Sequence, residues 1–294
     1  MIILHGRGSI AERFADPLLT HPVAPLSTAA TSDAASSTEP MRAFQDYFPN
    51  TKFVFPTAPL RRAVAFNRSL THQWFDHWSH KEPEVKQHLQ VTGLRETSAF
   101  LHGLLKQEID TVGASNVVLM GLSQGCAASI IATLLWEGES FGALVGMCGY
   151  LPFCRGMRDF VVDGVNDGIK LENEDDVEDI FERVDEDPRH GTRLERAVEW
   201  LREELQVSKE GEKRTEPPTI RSIPVFMGHG AEDVQVPYET GRLAAETLRV
   251  VDVDVAWQGY EGLGHWYSEE MLRDVVRFLK ALKGREQSNQ TNLE

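Results

Sequence analysis

The chain has 294 residues, of which 41% are hydrophobic and 26% charged. These proportions are close to those of globular proteins and exclude a wholly disordered or collagen-like chain. No stretch approaches the roughly 18 consecutive apolar residues of a membrane-spanning helix. The start of the sequence, Met1 to His5, lacks the features of a secretory signal, so export is not predicted. The formal net charge of −15 predicts repulsion of nucleic acids and anionic lipids.

Three cysteines, Cys126, Cys148 and Cys154, are too few for a disulfide framework and are not spaced as metal ligands. They predict reduced thiols and a cytoplasmic location. Nothing argues for a lowered thiol pKa at Cys126, so we expect it to pack in a helix rather than act as a nucleophile. We expect no metal, no cofactor and no nucleic acid. The expected partner is a small-molecule or acylated substrate. The sequence is also compatible with a homo-oligomer.

Short apolar runs alternate with helical patterns along the chain. The predicted strands are 1–5, 52–56, 116–120, 143–148, 223–228 and 253–258, and the predicted helices lie near 93–112, 124–137, 238–250 and 268–283. Continuous apolar runs are typical of parallel strands covered on both faces. The alternation therefore predicts an α/β fold with a mostly parallel central sheet, in which the first two runs pair at one edge.

Three segments do not follow this alternation. Residues 22–40 are rich in Ala, Ser, Thr and Pro and predict a flexible loop, and residues 284–294 form a polar tail. Residues 155–219 form a longer insertion that contains an acidic run at 172–187. We therefore expect a single domain over 1–283 with insertions rather than two domains.

The insertion leaves the predicted sheet at the carboxyl end of a strand. Its helical pattern near 192–206 carries one apolar stripe formed by Leu194, Val198, Leu201 and Leu205, which predicts a helix that docks on the domain. Sites in parallel α/β sheets lie at the carboxyl edge. The insertion is therefore either a partial lid over the site or a surface decoration away from it.

The pentapeptide Gly121-Leu122-Ser123-Gln124-Gly125 follows one predicted strand and precedes a predicted helix. In this context G-x-S-x-G is typical of a nucleophile elbow, a sharp turn that presents the serine Oγ at the sheet edge. The alternative interpretation is a glycine-rich turn with a capping serine. The strand before it and the small residues after it favour Ser123 as a nucleophile.

A serine nucleophile of this type needs an acid and a base, in the chain order Ser, Asp, His. Asp233 and His265 each follow a predicted strand, so both are expected at the same sheet edge as Ser123. Glu232 is the rival acid, or else a solvated loop charge. His229 is a rival base, but it precedes the acid and lies where a structural turn is expected.

Acyl transfer also needs hydrogen-bond donors for the developing oxyanion. The backbone N–H of Gln124, directly after the nucleophile, is one expected donor. The second is the N–H of Arg7, in the loop His5-Gly6-Arg7-Gly8 after the first strand. The alternative for this loop is a phosphate-binding turn, but it lacks the third glycine of G-x-G-x-x-G.

The region 56–78 is predicted to be a loop rich in aromatic residues. Trp74 either lines an acyl channel or covers the core, and the sequence leaves both open. The histidines of this region are His72, His77 and His80. Their spacing fits no common zinc site, so we expect solvated side chains and no metal site.

Taken in order, the motifs HGRG, PTAP, WFD, GLSQG, DVQVP and GLGH resemble the acyl-protein thioesterase / phospholipase–carboxylesterase family of α/β-hydrolases. The resemblance covers about residues 1–154 and 220–283. It implies the α/β-hydrolase fold, with helices on both faces of the sheet. The roles it implies are nucleophile for Ser123, acid for Asp233, base for His265, oxyanion donors for Arg7 and Gln124, and a place beside the acyl site for Trp74.

The sequence departs from the family pattern at several positions. The family usually has a small apolar residue in place of Arg7, Asp in place of Ser9 and Gly in place of Cys126. It also carries residues ahead of the HG strand, whereas Met1 opens that strand here. The N-terminal strands of the fold are therefore expected to be missing, either because the first strand is absent or because the chain start is truncated. These departures bear on the substrate more than on the reaction.

The resulting prediction is a serine hydrolase that cleaves carboxylic ester or thioester bonds through an acyl-enzyme. Two alternatives stay open at this point. One is a small-molecule carboxylesterase with no lipid or protein substrate. The other is a hydrolase-fold binding protein without catalytic activity, which the presence of all three triad residue types disfavours.

Overall fold

The computed structural model describes residues 1–26, 41–82, 85–166, 191–207 and 217–291. Its strands are Ile2–Leu4 (β1), Pro22–Val23 (β2), Arg42–Ala43 (β3), Leu60–Ala63 (β4), Ser69–His72 (β5), Val118–Leu122 (β6), Ala143–Met147 (β7), Val225–Gly230 (β8) and Val255–Tyr260 (β9). Its α-helices are Ala11–Leu19 (α1), His88–Val112 (α2), Gln124–Leu134 (α3), Cys154–Asn166 (α4), Arg193–Glu204 (α5), Tyr238–Val250 (α6) and Glu269–Thr291 (α7).

The central sheet has five strands in the order β1-β6-β7-β8-β9, and all its neighbouring pairs are parallel. The register places Ile2 opposite Leu119 and Val225 opposite Val255. Parallel strands place their carboxyl ends at one edge, so the loops after β1, β6, β8 and β9 meet there. The predicted parallel α/β sheet is confirmed.

Helices cover both faces of this sheet. On one face the core contains apolar residues of α2, α3, α5 and α6, and on the other it contains those of α1 and α7. Successive strand residues alternate between these two cores; Leu4 and Leu119 face the first, while Ile3 and Met120 face the second. This two-sided burial explains why the strands appear in the sequence as continuous apolar runs.

The predicted strand at 52–56 is wrong. Val54 forms only an isolated parallel bridge to Ile2, with its N–H donating to the Met1 carbonyl at 2.8 Å and its carbonyl accepting from Ile3 N–H at 2.9 Å. The segment does lie beside β1, at the expected edge. Pro56 follows closely and has no N–H to donate, which limits the length of any ladder here.

The predicted loop at 56–78 contains an antiparallel hairpin of β4 and β5, with Leu60 opposite His72 and Ala63 opposite Ser69. Leu60 and Leu70 are exposed. A two-stranded ribbon of this kind buries neither face fully, so its sequence lacks the alternation that predicts a strand. The sequence therefore gave no signal for this element.

The described part of the insertion is helical. The predicted helix near 192–206 is α5, which begins with a capping box: Thr192 Oγ1 accepts from Glu195 N–H, and Glu195 Oε2 accepts from Thr192 N–H. Its stripe is buried, with Leu194 and Leu201 at 1% and 0% exposure. Helix α4 was not predicted. The acidic run 172–187 and most of the predicted loop 22–40 lie outside the described residues, and the lid stays a prediction.

At the carboxyl end of the chain, the helix predicted at 268–283 continues as α7 through Thr291, into the segment predicted as a polar tail. Two acidic residues, Glu269 and Glu270, lie in its first turn, where they interact favourably with the helix dipole. Of the helices in the described ranges, none combines the length and apolar character needed to cross a bilayer.

Candidate active site

Ser123 lies in the turn between β6 and α3. Its backbone has φ 56° and ψ −120°, a region that costs free energy for a residue with a side chain and is typical of functional turns. Backbones pack closely around it: a Cβ added at Gly121 would lie 2.4 Å from the Gly125 carbonyl carbon, and one at Gly125 would lie 2.5 Å from the Leu4 carbonyl oxygen. The two glycines of the motif are therefore required by packing.

The structure brings Ser123, His265 and Asp233 together. Ser123 Oγ lies 2.8 Å from His265 Nε2, and His265 Nδ1 lies 2.6 Å from Asp233 Oδ2. Since the ionised Asp233 only accepts, His265 carries its proton on Nδ1 and presents Nε2 as an acceptor to the serine hydroxyl. The geometry is that of a nucleophile hydrogen-bonded to a base, which is in turn oriented by an acid.

Asp233 is held by four hydrogen-bond donors. Its Oδ1 accepts from the N–H groups of Gln235 and Val236, both at 2.9 Å. Its Oδ2 accepts from His265 and from Nε2 of His229, which lies 3.1 Å away. Burial alone would raise the pKa of Asp233, but the hydrogen bonds from His229, His265 and Val236 outweigh burial and hold this pKa below its usual value. Asp233 is therefore a stable anion.

The two rivals considered from the sequence occupy different positions. Glu232 is exposed, in agreement with a solvated loop charge. His229 was expected in a turn, which is wrong, because it lies in β8 and is fully buried. The predicted strand ended at Gly228, two residues before the end of β8, and so His229 was placed outside it. Its contact with Asp233 makes it a supporting residue that the sequence analysis missed.

The loops that carry Asp233 and His265 are hydrogen-bonded to each other. Glu232 N–H donates to the Leu263 carbonyl at 3.0 Å, and Ala231 N–H donates to the Tyr260 carbonyl at 2.8 Å. These bonds extend the pairing of β8 with β9 past the ends of both strands. They fix the distance between Asp233 and His265, which lie 32 positions apart in the sequence.

The loop His5-Gly6-Arg7-Gly8 approaches Ser123 from β1. A Cβ added at Gly6 would lie 3.4 Å from Ser123 Cβ and 3.8 Å from Ser123 Oγ. His5 is buried, and its Nε2 accepts from Ala58 N–H at 3.0 Å while its Nδ1 contacts the Gly6 carbonyl at 2.8 Å. These two bonds hold the loop against Ser123.

Gln124 opens α3, so its backbone N–H has no partner within the helix. Its side chain accepts from Trp74 N–H at 2.9 Å and donates to the Phe75 carbonyl at 2.7 Å. Trp74 is 1% exposed, and its indole N–H donates to the His5 carbonyl at 2.8 Å. Trp74 thus lies beneath the loops of the site, while a contact between it and the acyl group stays a prediction.

The expectation that the histidines of this region are solvated is wrong for His77. His77 is 3% exposed and its Nδ1 lies 2.9 Å from Nη1 of Arg7. Burial, together with His80 and Arg7, lowers the pKa of His77 to about 2, so its ring is neutral. Within the described residues no three His, Cys, Asp or Glu side chains are grouped to hold a metal ion.

The three cysteines, all within the described residues, form no disulfide. Cys126 is fully buried in α3, and burial, with a smaller effect of Cys148, raises the pKa of its thiol to about 12. It packs against the backbone of β7, since a Cβ at Gly146 would lie 2.6 Å from its Sγ. These observations agree with the expected packing role for Cys126.

Comparison with known proteins supports the same chemistry. The sequence pattern of the phospholipase/carboxylesterase family matches residues 32–160 and 207–283, more than half of the chain. An acyl-protein thioesterase 1 of Gibberella zeae is 27% identical over 233 residues, which are 78% of this chain and 76% of that protein. The carboxylesterase SOBER1 of Arabidopsis thaliana is 23% identical over 241 residues, which are 80% of this chain and 79% of that protein.

Solved structures show the same fold. The crystal structure of Arabidopsis thaliana SOBER1 has a TM-score of 0.59 at 20% identity, covering 96% of this chain and 97% of that one. Acyl-protein thioesterase 2 of Zea mays has a TM-score of 0.56 at 18% identity, covering 96% and 92%. With the family match and the parallel sheet, these likenesses establish that the chain belongs to the phospholipase/carboxylesterase family and has the α/β-hydrolase fold.

Proposed function

We propose that Ser123, His265 and Asp233 form the catalytic triad of this ester or thioester hydrolase. Membership of the family assigns the reaction class, hydrolysis of carboxylic esters or thioesters. The observation that carries the residue roles is the continuous hydrogen-bond chain from Ser123 Oγ through His265 to Asp233. The two bonds have the lengths needed for proton transfer from nucleophile to base and for orientation of the base by the acid.

In the proposed acylation step, Ser123 Oγ attacks the carbonyl carbon while His265 Nε2 takes its proton. Asp233 stabilises the resulting imidazolium because it remains ionised, its pKa being lowered by hydrogen bonds that outweigh its burial. The protonated His265 then donates to the leaving alcohol or thiol. In the second half, His265 activates a water that releases the acyl group from Ser123.

The oxyanion of the tetrahedral intermediate is proposed to bind to the backbone N–H groups of Arg7 and Gln124. The Gln124 N–H is at the start of α3, where the helix dipole also favours negative charge. The Arg7 N–H donates to no backbone carbonyl of the described residues, and the preceding Gly6 lies against Ser123. The proposed steps use groups of this chain and water, with no cofactor.

An acylated substrate fits the surface around the triad. Val234 follows Asp233 and is 82% exposed, and Trp266 follows His265 and is 45% exposed. Exposed apolar side chains at this position offer a surface on which an acyl chain can lie. None of the three cysteines, all within the described residues, forms a disulfide; this favours a reducing compartment, and we place the enzyme in the cytoplasm on that basis.

The test is covalent labelling by a fluorophosphonate probe together with turnover of p-nitrophenyl esters. We expect Ser123→Ala to abolish labelling and to lower kcat by about 10⁶, because triad members act as a unit. The control is Ser98→Ala, which removes another buried serine hydroxyl, in α2. It should label and turn over as the unaltered protein does. A Ser123→Ala protein that keeps more than about a tenth of the rate would contradict the proposal, as would a catalytically silent unaltered protein.

A further inference from the structure

Three loops that contact Ser123 or its neighbour Gln124 each carry a polar side chain. Arg7 follows Gly6, where an added Cβ would lie 3.4 Å from Ser123 Cβ. Tyr150 follows Gly149, where an added Cβ would lie 3.2 Å from the Ser123 carbonyl oxygen. His77 follows the segment 74–75, which is hydrogen-bonded to the side chain of Gln124. Each side chain is therefore placed by a segment that contacts the nucleophile or its neighbour.

These side chains contact one another. Arg7 Nη1 lies 2.9 Å from His77 Nδ1, and the Arg7 guanidinium lies 4.6 Å from the centre of the Phe66 ring. The rings of His77 and Tyr150 are 6.1 Å apart, and His80 lies 4.7 Å from Tyr150 and 4.0 Å from His77. We call Arg7, His77 and Tyr150 the polar cluster.

The polar cluster presents donors that have no acceptor. A guanidinium only donates, so His77 Nδ1 accepts from Arg7 and the proton of the neutral His77 ring is on Nε2. His77 Nε2 and the Tyr150 hydroxyl are both buried and without a hydrogen-bond partner, in side chains that are 3% and 4% exposed. Buried donors are nearly always paired in folded proteins, because leaving them unpaired costs free energy.

The positive charge of Arg7 also lacks a direct counter-ion. Among the described residues no carboxylate forms a salt bridge to it. Asp76 is near enough to interact electrostatically, but its two oxygens accept from Val64 N–H at 3.2 and 3.3 Å. A half-buried cation with two unpaired donors beside it is a site suited to an anion with several acceptor oxygens.

We propose that Arg7, His77 and Tyr150 bind a carboxylate carried by the ester or thioester substrate close to its scissile carbonyl. The carboxylate would supply the acceptors that His77 Nε2 and the Tyr150 hydroxyl lack, and it would neutralise Arg7. This inference rests on the proposed function, since it names a substrate class for the same site. Arg7 thereby has two roles: its backbone N–H faces the oxyanion and its side chain selects the substrate.

The carboxylate can belong to the acyl group or to the leaving group, and two substrate pairs distinguish these sources. Mono-p-nitrophenyl glutarate and p-nitrophenyl pentanoate differ by a charge on the acyl group. The esters 4-carboxyphenyl butyrate and 4-(methoxycarbonyl)phenyl butyrate differ by a charge on the leaving group. For each pair the measured quantity is the ratio of kcat/KM for the charged ester to kcat/KM for the neutral ester.

We expect Arg7→Gln to lower this ratio about tenfold or more in one of the two pairs, since hydrogen bonds to charged groups are the stronger kind. Tyr150→Phe should lower the same ratio about threefold or more. Two controls match these variants: Arg13→Gln removes an exposed positive charge, and Tyr267→Phe removes another buried tyrosine hydroxyl. Both should leave the ratio unchanged. Ratios in both pairs that stay within about twofold in Arg7→Gln and Tyr150→Phe would overturn the inference.

A second measurement does not depend on turnover. In the Ser123→Ala protein, millimolar monomethyl glutarate should raise Tm by binding to the polar cluster. Adding Arg7→Gln should remove this shift, whereas adding Arg13→Gln should keep it. An absent shift in the Ser123→Ala protein would count against a site for a carboxylate on the acyl group. Failure of the proposed function is seen separately, as a lack of turnover of the neutral esters by the unaltered enzyme.

Discussion

The residues on the two sides of Ser123 differ in whether their buried polar atoms have hydrogen-bond partners. On the acid–base side, both oxygens of Asp233 and both ring nitrogens of His265 have hydrogen-bond partners. On the side of the polar cluster, a ring nitrogen of His77 and the hydroxyl of Tyr150 have none. The hydrogen bonds of Asp233 and His265 therefore form a saturated network, while Nδ1 of the supporting His229 lies outside it and has no partner among the described residues. The polar cluster forms an unsaturated network.

The difference indicates what each side is built to do. A saturated network fixes the orientation of its members, as a base and its acid require before any substrate arrives. An unsaturated set of donors has a cost in the free protein that a ligand can remove by supplying acceptors. We therefore expect substitutions on the acid–base side to affect all esters equally, and substitutions in the polar cluster to discriminate among them.

Apart from loss of the nucleophile or of the base, the largest effect on the acid–base side is expected for Asp233→Asn. The amide would disturb the tautomer of His265, and kcat should fall by about 10⁴, the size of this change in the serine protease triad. The neighbouring Glu232→Gln is the matched control, and we expect its kcat to change by less than about twofold because its carboxylate is exposed. Equal losses in the two variants would contradict the assignment of the acid.

A smaller effect is expected at His229. Its Nε2 donates to Asp233 and to the Val236 carbonyl, 3.0 Å away, so it positions the acid rather than taking part in proton transfer. His229→Leu removes this donor and should lower kcat about tenfold with little change in KM, since it loses one hydrogen bond to a charged group. His229→Gln, which retains a donor near the Nε2 position, should recover most of the rate. A rate that is equally low in both variants, at equal Tm, would show that the donor is not what matters.

The smallest effect concerns stability at acid pH. The pKa of Asp233 is lower in the folded chain than the value near 3.9 of an unfolded chain. The folded state therefore binds fewer protons, and the ionised carboxylate contributes stability above pH 4 that is lost as the pH falls through the folded pKa. The difference in Tm between the unaltered protein and Asp233→Asn should be largest near neutral pH and should shrink below about pH 4.

The exposed Asp110→Asn serves as the control for this measurement, because it removes one carboxylate that is not part of the network. A Tm difference for Asp233→Asn that stays constant from pH 7 to about pH 3 would contradict the stabilised anion. On the side of the polar cluster, Tyr150→Phe removes an unpartnered hydroxyl, so we expect no comparable loss of stability at any pH.

Local chemistry in the sequence was enough to predict the parallel sheet and the positions of Ser123, Asp233 and His265 at one edge of it. The strands are continuous apolar runs because helices cover both faces, and each of the three residues directly follows such a run or lies within a few positions of its end. These signals involve residues that are close together in the sequence, so they can be recognised without knowing the tertiary structure. The family match and the fold agree with them.

Predictions failed where the structure of a segment depends on residues distant in sequence, or where a strand boundary was misplaced. The hairpin of β4 and β5 exposes both faces, so no alternation marked it, and residues 52–56 had an apolar run but form only one bridge. His229 lay one residue past the predicted end of its strand. His77 appeared as a loop residue, whereas it is buried and in contact with Arg7, which lies 70 positions earlier.

The sequence by itself indicated the reaction class, in agreement with the family match, because the G-x-S-x-G motif and the two residues that follow strands are local patterns. Only the tertiary structure decided which polar groups are satisfied. Whether His77 and Tyr150 have acceptors depends on how three loops pack around Ser123. No local sequence pattern predicts this packing. The physical reason is that a hydrogen bond needs its partner within about 3 Å, a condition that packing sets between residues far apart in the chain.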